Sequence, residues 1–205
     1  MLPRLSILAL TLTALGAAAP RSAEAPRPGE YEVKAALLFN VLKFVEWPAP
    51  PPGALVVCVF KEERMAEALE ALGDKIVAGA RLQVRRVESA EDTRACRALF
   101  IGRSEESRLG DILKATAGLD LLTVADTQGF GERGVVVNFF VEDGHVRFEV
   151  NLVAARQSHL QVSAKLLRLA RVLKGDERRS GAAPGGATPS RPGCSSPAAS
   201  PPGRR

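Results

Sequence analysis

Residues 129–134, Gly129-Phe130-Gly131-Glu132-Arg133-Gly134, spell G-x-G-x-x-G letter for letter. That pattern does chemistry when a strand enters a tight turn and a helix N-terminus follows, its free amides meeting a pyrophosphate. Here residues 135–141 (VVVNFFV) follow, and they read as a strand. No helix dipole stands behind the glycines, so a mobile glycine-rich loop is expected and no cofactor. The two histidines, His145 and His159, have no second histidine or carboxylate at ligand spacing on a shared helical face, so no metal is expected.

Acid–base and nucleophilic chemistry find little footing. Asp126 stands at a strand end beside the glycine loop and is the best-placed carboxylate for touching a small ligand. Ser104 sits in no nucleophile elbow. Gly102 and Ser104 open a helical stretch whose free amides could hold an anion, although Glu105 and Glu106 would repel one and capping is the plainer role. Gly102, Ser104 and Asp126 are therefore the candidate ligand-binding residues, at the carboxyl ends of strands. No set of base, nucleophile and electrophile is assembled, and no catalytic residue or enzyme activity is expected.

The three cysteines divide by region. Cys58 and Cys96 lie mid-chain and Cys194 near the end, with no C-x-x-C. In an oxidising compartment the first two read as a structural bridge, leaving Cys194 free or intermolecular.

That compartment is implied by the beginning of the chain. Arg4 gives a short positive region, residues 5–16 are almost unbroken apolar sequence, and small residues follow, the layout of a secretory signal peptide over residues 1–25. The expected cut follows Ala23-Glu24-Ala25, with Ala17–Ala19 competing. At the other end, residues 175–205 are rich in Pro, Gly, Ser and Ala and have no large apolar side chain, so a disordered tail is expected. One domain over residues 26–174 remains. The formal charge of +5 sits mostly in the two ends, with five arginines in the tail, so the body is nearly neutral and no nucleic-acid partner is expected.

Within the body, residues 30–47 have helical period. Val33, Leu37, Leu38, Val41, Leu42, Phe44 and Val45 share a broad arc, with Glu32, Lys43 and Glu46 opposite, and Pro48 ends the run. Lys34 and Lys43 leave no charge-free stretch of bilayer-spanning length, so no membrane insertion is expected once the leader is gone. Phe39 falls on the polar side and Trp47 at the end. Phe39, Lys43 and Trp47 are thus the candidate partner-binding residues, the partner being another protein or a second copy in a homodimer.

Strands are expected at 54–60, 82–87, 98–101 and 121–125, with a short hairpin-like piece at 75–77. Helices are expected at 62–72 and at 105–117, the latter capped by Ser104. Residues 135–141 and 145–151 form an antiparallel hairpin around Asp143-Gly144. One or two helical turns at 152–157 and a last helix at 164–174, capped by Ser163, follow, with Leu166, Leu169, Ala170 and Leu173 inward. The sum is a single three-layer α/β domain with a mixed sheet, βαβ units followed by a hairpin.

Two stretches, "YEVKAALLFNVLKFVEWP" and "RFEVNLVAARQSHLQVSAKLLRLARV", resemble the opening helix and closing region of the YfiR family of secreted bacterial proteins. Between them "ALVVCVF", "CRALFIGRSEE" and "LLTVADTQGFGERGVVVNFFVEDG" match in order and spacing, so the resemblance spans about residues 30–173. It implies a periplasmic α/β domain without catalytic activity. The family's name-giving member inhibits an inner-membrane diguanylate cyclase through that enzyme's periplasmic part, lowering cyclic di-GMP. The resemblance also implies a Cys58–Cys96 bridge. A second cysteine pair of that member, in the region matching residues 127–141, has no counterpart here, which removes the ground for a redox-sensing role tied to it. The alternative expectation is a periplasmic small-molecule binding module feeding a sensor kinase or other membrane partner.

Overall fold

The computed structural model describes residues 29–50 and 53–174. In chain order they form α1 (Glu30–Leu42), β1 (Val45–Glu46), β2 (Ala54–Phe60), α2 (Glu63–Glu70), β3 (Ile76–Val77), β4 (Ala80–Val87), β5 (Ala98–Ile101) and α3 (Leu109–Ala115). There follow β6 (Leu122–Ala125), β7 (Val137–Glu142), β8 (His145–Asn151), α4 (Leu152–Gln157), β9 (Gln161–Val162), α5 (Ala164–Leu167) and β10 (Arg171–Leu173).

The unbroken apolar run of β2 is explained by burial on both sides. Leu55, Val57 and Val59 enter one core, while Cys58 and Phe60 enter another on the opposite face. In β5, Ala98 and Phe100 join the first core and Leu99 and Ile101 the second. A strand whose successive side chains point to opposite faces needs apolar residues at every position when both faces are covered. The first face is covered by α1 (Ala35, Leu38, Val41, Leu42) and α2 (Met65, Ala66, Leu69), the second by α3 (Leu109, Ile112) with Phe130 and Val135.

Eight strands line up as β10-β8-β7-β6-β5-β2-β4-β3. The centre is parallel, and the β7–β8 and β3–β4 pairs are antiparallel. The β7–β8 turn has positive φ at both Asp143 (52°) and Gly144 (73°), the backbone that Asp-Gly adopts in a tight hairpin. The domain is thus a single α/β body with a mixed sheet, in the class expected from sequence. The leader with its two cut sites, and the tail with Cys194, lie outside the described residues.

Three element boundaries differ from expectation, each for a tertiary reason. First, α1 stops at Leu42 with Lys43 as its cap, instead of continuing to residue 47. Val45 fits a helical period, but it also fits strand alternation: it is buried, Glu46 is exposed, and the pair binds antiparallel to Val162 and Gln161 of β9. Second, Ser104 does not cap a helix over 105–117. A tight 3-10 turn spans Arg103–Glu105, and α3 starts only at Leu109. Glu105 is buried and held by Arg108 at 3.1 Å and Lys61 at 3.9 Å, which folds this stretch inward before a helix can begin.

Third, the expected closing helix 164–174 lasts only from Ala164 to Leu167. Its Ser163 cap is present, the Oγ accepting from the Lys165 amide at 3.2 Å. Residues 171–173 instead form β10 beside the open edge of β8, in parallel register, Val172 opposite Val150. That pairing satisfies backbone groups of β8, which outweighs seven more residues of helix. Leu169, expected inward, is consequently 76% exposed. Among the described residues no helix is long and apolar enough to cross a membrane.

Cys58 and Cys96 form a disulfide with a Cα–Cα distance of 5.8 Å, tying β2 to the segment leading into β5. It closes a loop with a sequence separation of 38, for which chain-entropy reasoning gives about 4 kcal/mol. The C58A/C96A double variant is expected to unfold at lower urea by that amount. A loss under about 1 kcal/mol would place the stabilisation elsewhere.

Candidate functional site

The three candidate partner residues are not equivalent. Phe39 is half-buried and packs against the edge of the first core, not on an open polar face. Lys43 is exposed, hydrogen-bonds Asn40 Oδ1 at 2.9 Å, and sets its Nζ 4.0 Å from the centroid of the Phe39 ring. These two residues therefore form one cation–π patch at the end of α1. Trp47 is half-buried and pinned, its indole Nε1 donating to the Arg97 carbonyl at 3.2 Å.

Sequence reasoning passed over the strongest polar contact of α1. Lys34 is 4% exposed, and its ammonium meets Asp126 Oδ2 at 2.7 Å with the Asp126 side chain 6% exposed. Glu30, one turn earlier, pairs with the same ammonium. The signal was present: Lys34, Leu38 and Val41 share the i, i+4, i+7 stripe that faces the core. Burial alone would lower the Lys34 pKa, but hydrogen bonds to Asp126 and Glu30 outweigh it and leave it raised. Tyr31, whose ring lies 4.9 Å from the same ammonium, is pushed up to about 12 by burial, then by the charges of Asp126 and Glu62.

Of the three candidate ligand residues, Asp126 lines a cleft of about 780 Å³ at the carboxyl edge of β6 and β7. Gly102 and Ser104 do not line it. Gly102 is buried against Glu62, where a Cβ would come within 2.9 Å of Glu62 Cβ. Ser104 is exposed in the 3-10 turn. Thr127, Asn138 and Glu149 line the cleft with Asp126, and all three are buried. Sequence reasoning missed Asn138 and Glu149, whose trace is a polar residue between two apolar ones, Val137-Asn138-Phe139 and Phe148-Glu149-Val150.

The glycine-rich loop, Gly129–Gly134, runs in turns directly into β7 with no helix after it. His145 is exposed with Nδ1 2.8 Å from the Asp143 carbonyl, and His159 sits 3.0 Å from Asp120. Among the described residues no group of three or more His, Cys, Asp or Glu side chains could hold a metal ion.

An α/β domain with a two-sided mixed sheet and a polar cleft at its carboxyl edge defines the structural class, and sequence comparison gives the family. The YfiR/HmsC-like family model (DUF4154) matches residues 31–171, and the chain belongs to that family. It is a family of periplasmic regulators rather than enzymes. No curated protein matches the chain in sequence. Among solved structures, a conserved domain protein from Vibrio cholerae O1 biovar El Tor is similar at 13% identity and TM-score 0.49, covering 71% of this chain and 60% of that one. The ABC domain in complex with L-Trp from Streptococcus pneumonia is similar at 10% identity and TM-score 0.50, covering 68% and 60%. The chain thus spans about 60% of the length of these solved chains, and at 10% identity the likeness to the second concerns the fold alone.

The Lys34–Asp126 pair generates two predictions. Asp126→Asn leaves a buried ammonium with a weakened partner and is expected to cost about 3–5 kcal/mol, whereas the K34M/D126L double variant costs less than either single change. Urea unfolding of the wild type, K34M, D126L and the double variant checks this, and additive losses would count against it. Because the chain has a single tyrosine, its 295 nm absorbance titration reports Tyr31 alone, with a native midpoint near 12 that falls in D126N. Both pKa values are raised. The stability they supply is complete below pH 10 and is lost as pH climbs through the folded values, since the unfolded chain releases its protons first.

Proposed function

We propose that the protein is a periplasmic, non-catalytic regulator that binds and inhibits the periplasmic part of an inner-membrane signalling enzyme, a diguanylate cyclase, and so lowers cyclic di-GMP. In this reading residues 1–25 are removed on export and residues 26–174 form the regulatory domain. The observation that carries it is the family match over residues 31–171, nearly the whole described body. The end of α1 supports it, since the exposed Lys43 ammonium over the Phe39 ring offers a charged and aromatic contact without unfolding the core. Trp47, anchored on Arg97, adds a second aromatic surface nearby in sequence.

A second reading, a small-molecule binding module feeding a sensor kinase or other membrane partner, is favoured by one observation, the cleft beside Asp126. The two are compatible, because a ligand seated in the domain could tune its affinity for the partner.

Bait protein incubated with detergent-solubilised membranes is expected to retain an integral diguanylate cyclase, and its expression in the producing cell is expected to lower cyclic di-GMP. Lys43→Glu is exposed, so it is expected to weaken that retention several-fold with an unchanged melting temperature. Repeated recovery of no membrane enzyme, or full retention by the Lys43 variant, would remove the partner or the proposed surface respectively.

A further inference from the structure

Strand pairing places four residues in a row across the carboxyl half of the sheet. Ala125 pairs with Asn138, Asn138 with Glu149, and Glu149 with Arg171. Directly paired residues project from the same face, here the face of Ala125 and the second core. That core contains no residue of β7, β8 or β10; Phe139, Phe148 and Val150 go to the first face, while Phe140 lies on the cleft side. The helical cover of the second face thus ends at β6, and the uncovered region beyond it is the cleft of about 780 Å³.

Its floor is polar, buried and incompletely bonded. Asn138 is 1% exposed, and Thr127 and Glu149 are each 8% exposed. The Asn138 amide nitrogen donates to Glu149 Oε1 at 3.0 Å, but Asn138 Oδ1 and Thr127 Oγ1 have no hydrogen-bond partner. Glu149 has no cation partner among the described residues. Buried polar atoms in native proteins are nearly always paired, so two orphans lining one cleft point to a missing donor.

Two other carboxylates of the cleft are already committed. Lys34 answers Asp126, and Glu142 is held by Arg171 at 2.8 Å and Arg147 at 3.0 Å. Glu106 and Glu132 at the rim outnumber Arg103, so the cleft is net acidic.

The glycine loop explains how Glu149 is held there. A Cβ on Gly131 would lie 2.6 Å from Glu149 Oε1 and 2.9 Å from Leu173 Cδ1, so a larger residue there would push the carboxylate and the Leu173 side chain from their present positions. Asn151 fixes that contact, its Nδ2 donating to the Gly131 carbonyl at 2.9 Å. The glycine pattern that lacks a helix for a pyrophosphate here shapes the wall of a different site.

We propose that this cleft binds a small organic cation bearing a primary ammonium, seated on the Glu149 carboxylate, Asn138 Oδ1 and Thr127 Oγ1. An ammonium has three donors and no acceptor, which matches three acceptors on the floor. A divalent metal ion fits less well, because no three His, Cys, Asp or Glu side chains gather among the described residues and a single carboxylate with two neutral oxygens supplies it little charge. An anion would face a carboxylate. The volume exceeds that of an ammonium alone and accommodates an aliphatic body beside Phe140 and Val141. This inference does not depend on the partner proposed above.

Isothermal titration calorimetry of the full mature chain with putrescine, and with magnesium chloride in parallel, tests it. Putrescine is expected to bind and to raise the melting temperature by mass action, magnesium to do neither. Glu149→Gln is expected to weaken putrescine about 10-fold or more, the loss of a charge-assisted bond. Thr127→Val is expected to weaken it too, while leaving the ligand-free melting temperature equal or higher, so it decides the matter if the Glu149 variant folds poorly. Lys43→Glu is expected to leave putrescine binding unchanged, which separates this site from the partner surface. Absence of putrescine binding at millimolar concentration, equal or tighter binding of magnesium, or unchanged affinity in Thr127→Val would each overturn the proposal.

Discussion

The central strands are buried on both faces, and most of the architecture follows from that requirement. β2, β5 and β6 present apolar side chains in both directions, so each face must be sealed by a separate layer. α1 and α2 seal one, α3 with Phe130 and Val135 the other, and the disulfide from Cys58 lies within the second. The strands beyond β6 are different. β7 and β8 send most of their apolar residues to the first face, and on the other the chain places Asn138, Phe140, Glu149 and Asn151. The cleft exists because the sealing layer stops where the apolar pattern stops.

An ion pair couples these two regions. Lys34 belongs to the helix that seals the first face, while Asp126 terminates β6 at the mouth of the cleft. A paired buried charge is weak evidence for net stability but strong evidence for a fixed geometry, since separating the partners is costly. The end of α1 that carries Lys43 and Phe39 is part of the same rigid rod. A ligand that altered the loop beginning at Asp126 would therefore act on the helix proposed to meet the partner.

The fold class was legible because the long apolar runs and the Asp143-Gly144 turn leave few alternatives. Errors fell where a residue satisfied two periods or where a distant edge competed with a local preference. Val45 fits both helix and strand, and only β9 decides between them. Residues 171–173 carry helical pattern, yet the edge of β8 captures them. For the site, Asp126 was legible from its place at a strand end. Its partner Lys34 was hidden, because a lysine among leucines also reads as a solvated interruption. Asn138 and Glu149 could be brought together only by knowing the register of β7 against β8.

The two borders of the main sheet are both very short: β3 has two residues and β10 three. β3 pairs with β4 only at Ala80 and Arg81, so the rest of β4, through Val87, keeps an open edge. Exposed Arg81, Arg85 and Arg86 line that strand, and like charges of this kind discourage a visiting chain from extending the ladder.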